Sequence, residues 1–139
     1  MKTAAIAGIA GIAAALALLG VFSPPCNAAT GPQLINDGNT LLTACKSFLD
    51  IADGKPSDAG NLLEMGQCIG IVGGVKTVMA SLNGSLNEPM KTCFPVTEIK
   101  VGTQVRVVVE YLKAHPDALA LDSSMLTMLA FHTAYPCKN

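Results

Sequence analysis

The side chains in this 139-residue chain that could do chemistry are few, and its cysteines come first. Cys45, Cys68, Cys93 and Cys137 follow a fifth, Cys26, which ends an apolar N-terminal stretch. Thiols spaced in this way can form disulfides, bind a metal or act as nucleophiles, and their context selects among these. The two histidines are His115, before a proline, and His132, five residues before Cys137. Asp53, Asp58, Glu64, Glu88, Asp117 and Asp122 are scattered, and no spacing pairs two of them for acid–base work. There is no serine elbow, paired Cys-x-x-Cys or phosphate loop, and Gly70-x-x-Gly73-Gly74 follows no strand. The expectation is a protein that is not an enzyme and needs no metal and no cofactor.

The N-terminus supplies the context for the thiols. Met1-Lys2-Thr3 is a short basic start, Ala4 to Phe22 is uncharged and apolar, and Ser23-Pro24-Pro25 interrupts the run. Cys26-Asn27-Ala28 then places small residues three and one before a cut. This is the layout of a secretory signal peptide over residues 1–28, cleaved between Ala28 and Ala29, with a single domain over 29–139. The rival is an uncleaved anchor, since the run is almost long enough to span a bilayer. Cleavage removes Cys26 and leaves four cysteines, which in a short exported domain read as a disulfide framework rather than a His/Cys metal site.

After cleavage the 9 basic residues lose Lys2, so 8 Lys/Arg stand against 10 Asp/Glu, a net of −2. That balance supports neither nucleic-acid binding nor membrane association after signal cleavage. With 0 Trp, 2 Tyr and 4 Phe there is no aromatic platform for sugars or bases.

The elements that must position the thiols read as helices. Leu41, Cys45, Phe48, Leu49 and Ala52 recur at helical spacing after a lead-in over Ala29–Gly38 that looks mobile, with Asn39 or Thr40 as cap. Asp53-Gly54-Lys55-Pro56 breaks the pattern, and Ser57 or Asp58 can cap a second helix over Ala59–Leu82. There Cys68, Val72, Val75, Met79 and Leu82 form one stripe, while Gly66, Gly70, Gly73 and Gly74 form a bare ridge opposite. Glycine costs a helix interior roughly 1 kcal/mol relative to alanine, so the ridge predicts close approach of a neighbouring backbone, either that of the third or fourth helix or one across a dimer interface. Asn83-Gly84 ends the helix, and Ser85–Thr97 reads as an irregular loop. Val101, Val105, Val108, Val109 and Leu112 predict a third helix capped by Thr97, against a strand over the β-branched run Gln104–Val109. Pro116 opens a fourth helix, whose apolar face carries Leu119, Leu121, Met125, Leu126, Met128 and Leu129 until Tyr135-Pro136. The fold class is all-α: a small bundle of about four helices.

Four cysteines allow three connectivities. The short loop near Lys55-Pro56 makes the first two helices antiparallel, with Cys45 and Cys68 on inward stripes at similar distances from it. Cys45–Cys68 is therefore expected, and Cys93–Cys137 follows by exclusion.

Five landmarks in this order carry a resemblance. They are Leu42-x-x-Cys45, Cys68-x-Gly70-x-x-Gly73, Cys93-x-Pro95, Leu112-x-x-His115-Pro116 and the closing Pro136-Cys137. Together they resemble the Rap/Tai family, periplasmic immunity proteins of bacterial type VI secretion systems. The likeness runs from about Gly38 to Cys137, departing at Ile71, often aromatic in members, and at Tyr135, where Phe is common. It implies an all-helical periplasmic protein, often a homodimer, that binds a cognate peptidoglycan amidase and occludes its catalytic cleft. Contact residues do not transfer by motif. Loop length and polarity point to Asn83, Gly84, Ser85, Asn87, Glu88 and Lys91 as partner-binding. The alternative is a periplasmic helical binding protein or acid-stress chaperone without a toxin partner, which protection of client proteins from aggregation at low pH would distinguish.

Overall fold

Residues 34–55 and 62–137 are described by the computed structural model, and helices make up most of them. The order is α1 (Gly38–Ala52), α2 (Leu62–Leu82), α3 (Val101–Ala114) and α4 (Ser123–Ala134), with short 3-10 turns between α2 and α3 and before α4. Among the described residues there is no strand, only two isolated bridges, Asp37 with Asp122 and Thr92 with Pro136. The signal peptide over 1–28 and the caps proposed at Ser57 and Asp58 lie outside the described residues.

Helix α1 starts earlier than its apolar stripe suggests. Asp37 is the N-cap: its carboxylate accepts from the Thr40 N–H at 2.9 Å, and the Asp37 N–H donates to the Thr40 hydroxyl at 3.3 Å. This reciprocal capping box satisfies donors that a helix start leaves without partners. Thr40 is thus its third residue, not its cap. The Thr40 N–H and hydroxyl together hold the Asp37 carboxyl below its ordinary value.

The described part of the lead-in, Leu34–Gly38, is fixed rather than loose. Ile35 is buried, and its N–H donates to the Gln67 side chain at 3.0 Å. The Gly38 N–H donates to Leu121 O and the Ser123 N–H to Asn36 O, each at 3.1 Å, stitching the segment to the turn before α4. A Cβ added at Gly38 would lie 2.5 Å from Leu126 Cδ1 and 3.0 Å from the Leu119 backbone. Close backbone approach therefore falls at Gly38.

The ridge on α2 is another matter. A Cβ at Gly66, Gly70, Gly73 or Gly74 would meet nothing within 4 Å. Within the described chain no backbone packs on these glycines, so the approach expected from the third or fourth helix is not made there. The opposite stripe behaves as expected at Cys68, Val72 and Met79, which are buried together with Met65, whereas Leu82 is exposed.

The core joins Leu41, Ala44 and Cys45 of α1, Cys68 and Val72 of α2, Val105, Val108 and Leu112 of α3, and Leu126 and Phe131 of α4. Both expected disulfides are present. Cys45–Cys68 lies in that core with both residues fully buried and Cα atoms 5.3 Å apart. Cys93–Cys137 spans 44 residues with Cα atoms 4.9 Å apart.

The β-branched run Gln104–Val109 is helical. Its valines at 105, 108 and 109 reach the core only on a 3.6-residue period, and burial outweighs their strand preference. Helix α3 starts after Lys100 with no side-chain cap, not at Thr97; buried Gln104 instead donates to Ile99 O at 2.7 Å. Pro116 opens a 3-10 turn, and α4 begins seven residues later behind Asp122, whose carboxylate accepts from the Ser124 and Met125 N–H groups. Arg106 of α3 forks onto Asp53 at the C-terminal end of α1. That bond is the main cause holding the Asp53 carboxyl below its ordinary value.

Two outcomes follow. Gly38→Ala should lower stability by about 1–3 kcal/mol in urea unfolding, the usual range for forcing extra volume into a packed site. Gly66→Ala, at an open helical position, should leave stability unchanged or raise it by up to about 1 kcal/mol. A third concerns pH. A carboxyl whose folded pKa is lowered adds stability above its unfolded value of 3.8, lost as pH falls through the folded value. Arg106→Gln should therefore melt below the wild type at pH 6, with the gap closing in melts taken below pH 3.8.

Candidate binding surface

The side chains that could act chemically are engaged in structure. The His115 ring stacks on Tyr111 at 4.1 Å between centroids, and its Nδ1 lies 2.8 Å from Tyr111 O. His132 Nε2 lies 3.0 Å from Pro89 O. The four cysteines among the described residues are oxidised in pairs. No group of three or more His, Cys, Asp or Glu that could hold a metal occurs among the described residues.

The segment after α2 opens on two short 3-10 turns, Asn83–Ser85 and Glu88–Met90, and continues to 97 without regular structure, as expected. Its polar residues divide into two groups. Asn83 is turned inward, its side-chain oxygen accepting from the Thr92 N–H at 2.9 Å. Lys91 is largely covered and pairs with Glu88 at 2.7 Å. Gly84, Ser85 and Asn87 are exposed. The six partner-binding candidates therefore lie on one segment, and Asn83 and Lys91 also make contacts that hold it in shape.

Behind the segment is a clasp that fixes it. The Cys93 N–H donates to Tyr135 O at 2.8 Å, beside the Thr92–Pro136 bridge and the Cys93–Cys137 bond. Phe94 packs edge-on against Phe131 at 5.6 Å and tilted against Tyr135 at 5.5 Å, with Lys76 Nζ 5.7 Å from its centroid. Each such aromatic pair adds about 0.5–1.5 kcal/mol beyond area burial.

The apolar residues of the same segment point elsewhere. Leu86 and Met90 close one side of a groove of about 450 Å³ whose other walls are α2 and α4. Gly70, Gly74, Val78 and Leu82 of α2 form one wall, and Ser124 and Met128 of α4 the facing one. None of its lining residues is charged. A second hollow shares Met79, Met90 and Met128 with it and continues to Leu129 and His132. Gly70 and Gly74 of the glycine ridge thus line this uncharged hollow.

Sequence reasoning singled out the glycine ridge but not the apolar side chains beside it, because it sought partner-binding residues by polarity. A usable signal was present. Helix α4 carries apolar residues at 125, 126, 128 and 129, more than one packed face can hold, and only Leu126 of these is buried. The stretch Leu62–Ser85 is long and apolar enough to cross a membrane by composition, yet only 22% of its apolar window is buried. Both helices have an apolar side left over.

The clasp carries its own expectation. Replacing Cys93 and Cys137 together with serine should destabilise by about 4 kcal/mol in the loop-entropy account. Urea unfolding of the oxidised wild type against this double variant measures the difference.

Compared with known proteins, residues 37–137 match the family model described as Rap1a immunity proteins. No curated protein and no solved structure matches the chain.

Proposed function

The chain belongs to the Rap1a immunity protein family, and from that premise we propose that it protects its producing cell by binding a type VI secretion toxin, a peptidoglycan amidase. It acts in the periplasm after removal of residues 1–28, as a homodimer, and occludes the amidase's catalytic cleft by binding rather than by chemistry. The observation that carries the reading is the extent of the family match. It runs from the Asp37 cap of α1 to Cys137 of the second disulfide, and so covers the entire stapled bundle. An exported toxin meets its antidote outside the reducing cytoplasm, and two buried or clasped disulfides suit that compartment. The exposed Gly84, Ser85 and Asn87, held out by the Asn83 and Lys91 contacts, contribute to the toxin-facing surface.

The test pairs this protein with the amidase encoded beside its gene. Export of that amidase alone should lyse cells, and co-export of this chain should restore growth; lysis unchanged by the chain would refute the immunity reading. A version with Gly84–Lys91 scrambled, shown by circular dichroism to keep its helices, should bind the amidase at least tenfold more weakly. Unchanged affinity would remove the segment from the toxin-facing surface and leave the immunity reading standing.

A further inference from the structure

We propose that Cys93–Cys137 is a thiol-exchange site: the Cys-x-x-Cys dithiol of a thioredoxin-type oxidoreductase reduces it in the folded protein and so loosens the segment after α2, while Cys45–Cys68 stays closed. The exchange does not depend on what the protein binds; its effect on a toxin rests on the reading above.

Access separates the two bonds. Exchange needs a thiolate to reach one sulfur of the disulfide, so burial protects a bond and exposure opens it to attack. Cys45 and Cys68 are both 0% exposed, sit on the inward sides of α1 and α2, and lie in the core. Cys93 is exposed, and Cys137 borders an open hollow of about 260 Å³ shared with Glu88, Lys91 and His132. Cys93 also stands outside any helix, beside exposed Pro95, Val96 and Thr97. A protein dithiol therefore meets a bare, non-helical stretch around it.

The step balances with the dithiol as the one reductant. Its attacking thiolate bonds to Cys93 Sγ, the S–S bond breaks, and the electron pair leaves on Cys137 Sγ, which takes up a proton. The second thiol, deprotonated, then attacks the oxidoreductase sulfur of the mixed disulfide and releases Cys93 as a thiolate, which is protonated in turn. Two electrons pass to this protein, and the dithiol becomes a disulfide.

Position gives the exchange a consequence. The bond ties the segment after α2 to the end of α4 across 44 residues of sequence. Once it opens, that tie rests on non-covalent contacts: the Cys93 N–H to Tyr135 O bond, the Thr92–Pro136 bridge, the Phe94–Tyr135 ring contact and the His132–Pro89 contact. Thr92, whose N–H holds the Asn83 side chain, is next in sequence to the freed Cys93. The pairing of α1 with α2 keeps its own cross-link.

Peptide mapping of the full chain, purified from the producing cell without reductant and kept in native buffer, tests the proposal. Thioredoxin with its reductase and NADPH is added to one sample and dithiothreitol to another, and freed thiols are trapped with iodoacetamide at intervals. In both, Cys93 and Cys137 should be alkylated at least about 50-fold faster than Cys45 and Cys68, with the far-ultraviolet spectrum unchanged. Amide hydrogen exchange at Thr92 and Cys93 should then quicken at least about tenfold, while core amides of α1 and α3 keep their rates. Opening of both bonds at one rate, opening of Cys93–Cys137 only in urea, or loss of the helical spectrum on its reduction overturns the proposal. Reduction by dithiothreitol but not by thioredoxin overturns the assignment to a protein dithiol, and unchanged Thr92 and Cys93 exchange overturns the loosening. The alkylated form should bind the amidase encoded beside the gene at least about tenfold more weakly than the oxidised form, since a loosened surface must be ordered on binding. Equal affinity overturns the link to the toxin, whereas no binding by either form refutes the immunity reading and leaves the exchange site standing.

Discussion

Helix α2 carries charge only at Glu64 and Lys76 along 21 residues, and whichever way it is turned, apolar surface is left over. The rest of the structure is arranged around that excess. One side, Met65, Cys68, Val72 and Met79, is covered by packing against α1, α3 and α4 and is bonded to α1 through Cys45. The other side stays open along Gly70, Gly74, Val78 and Leu82. Among the described residues no further helix covers it, and the glycines lessen the apolar area it exposes.

The two disulfides perform different tasks against that background. Cys45–Cys68 lies inside the core, where it fixes the pairing of α1 with α2 regardless of how much apolar area the small bundle buries. Cys93–Cys137 works at the periphery, with the Thr92–Pro136 bridge and the Phe94 cluster, and holds the segment after α2 at a defined place beside the groove. Small domains keep only about 5–15 kcal/mol of net stability, so two cross-links of about 3–4 kcal/mol each are a large share. Surface electrostatics add less. Asp37 and Asp53 are both held in their charged form by local donors, Thr40 in one case and Arg106 in the other, and these contacts set where α1 begins and where it meets α3.

An immunity protein has to be rigid before it meets its toxin, since ordering a flexible surface on binding costs affinity. The capping box of α1, the strapped lead-in at Ile35 and the clasp behind the Asn83–Lys91 segment all serve that end. They also separate two surfaces. The polar exposed part of the segment faces outward, while Leu86 and Met90 face the groove.

The sequence by itself determined the helical class, the cysteine pairing and the landmarks that place the chain in its family. These follow from short-range rules: apolar period, breaker residues, and thiols set at like distances from one loop. Its reading of Gln104–Val109 as helix rested on the apolar spacing reaching Leu112, and tertiary burial on that same period is why it holds. What only the tertiary structure decided was which glycine is crowded and which side of α2 is left bare. Gly38 needs its missing side chain because Leu119 and Leu126, some 80 residues on, arrive against it, and no local pattern announces such an arrival. Gly66, Gly70, Gly73 and Gly74 have the regular spacing that packing motifs share, yet they face outward, because a helical wheel gives the angle of a face and not the presence of a neighbour.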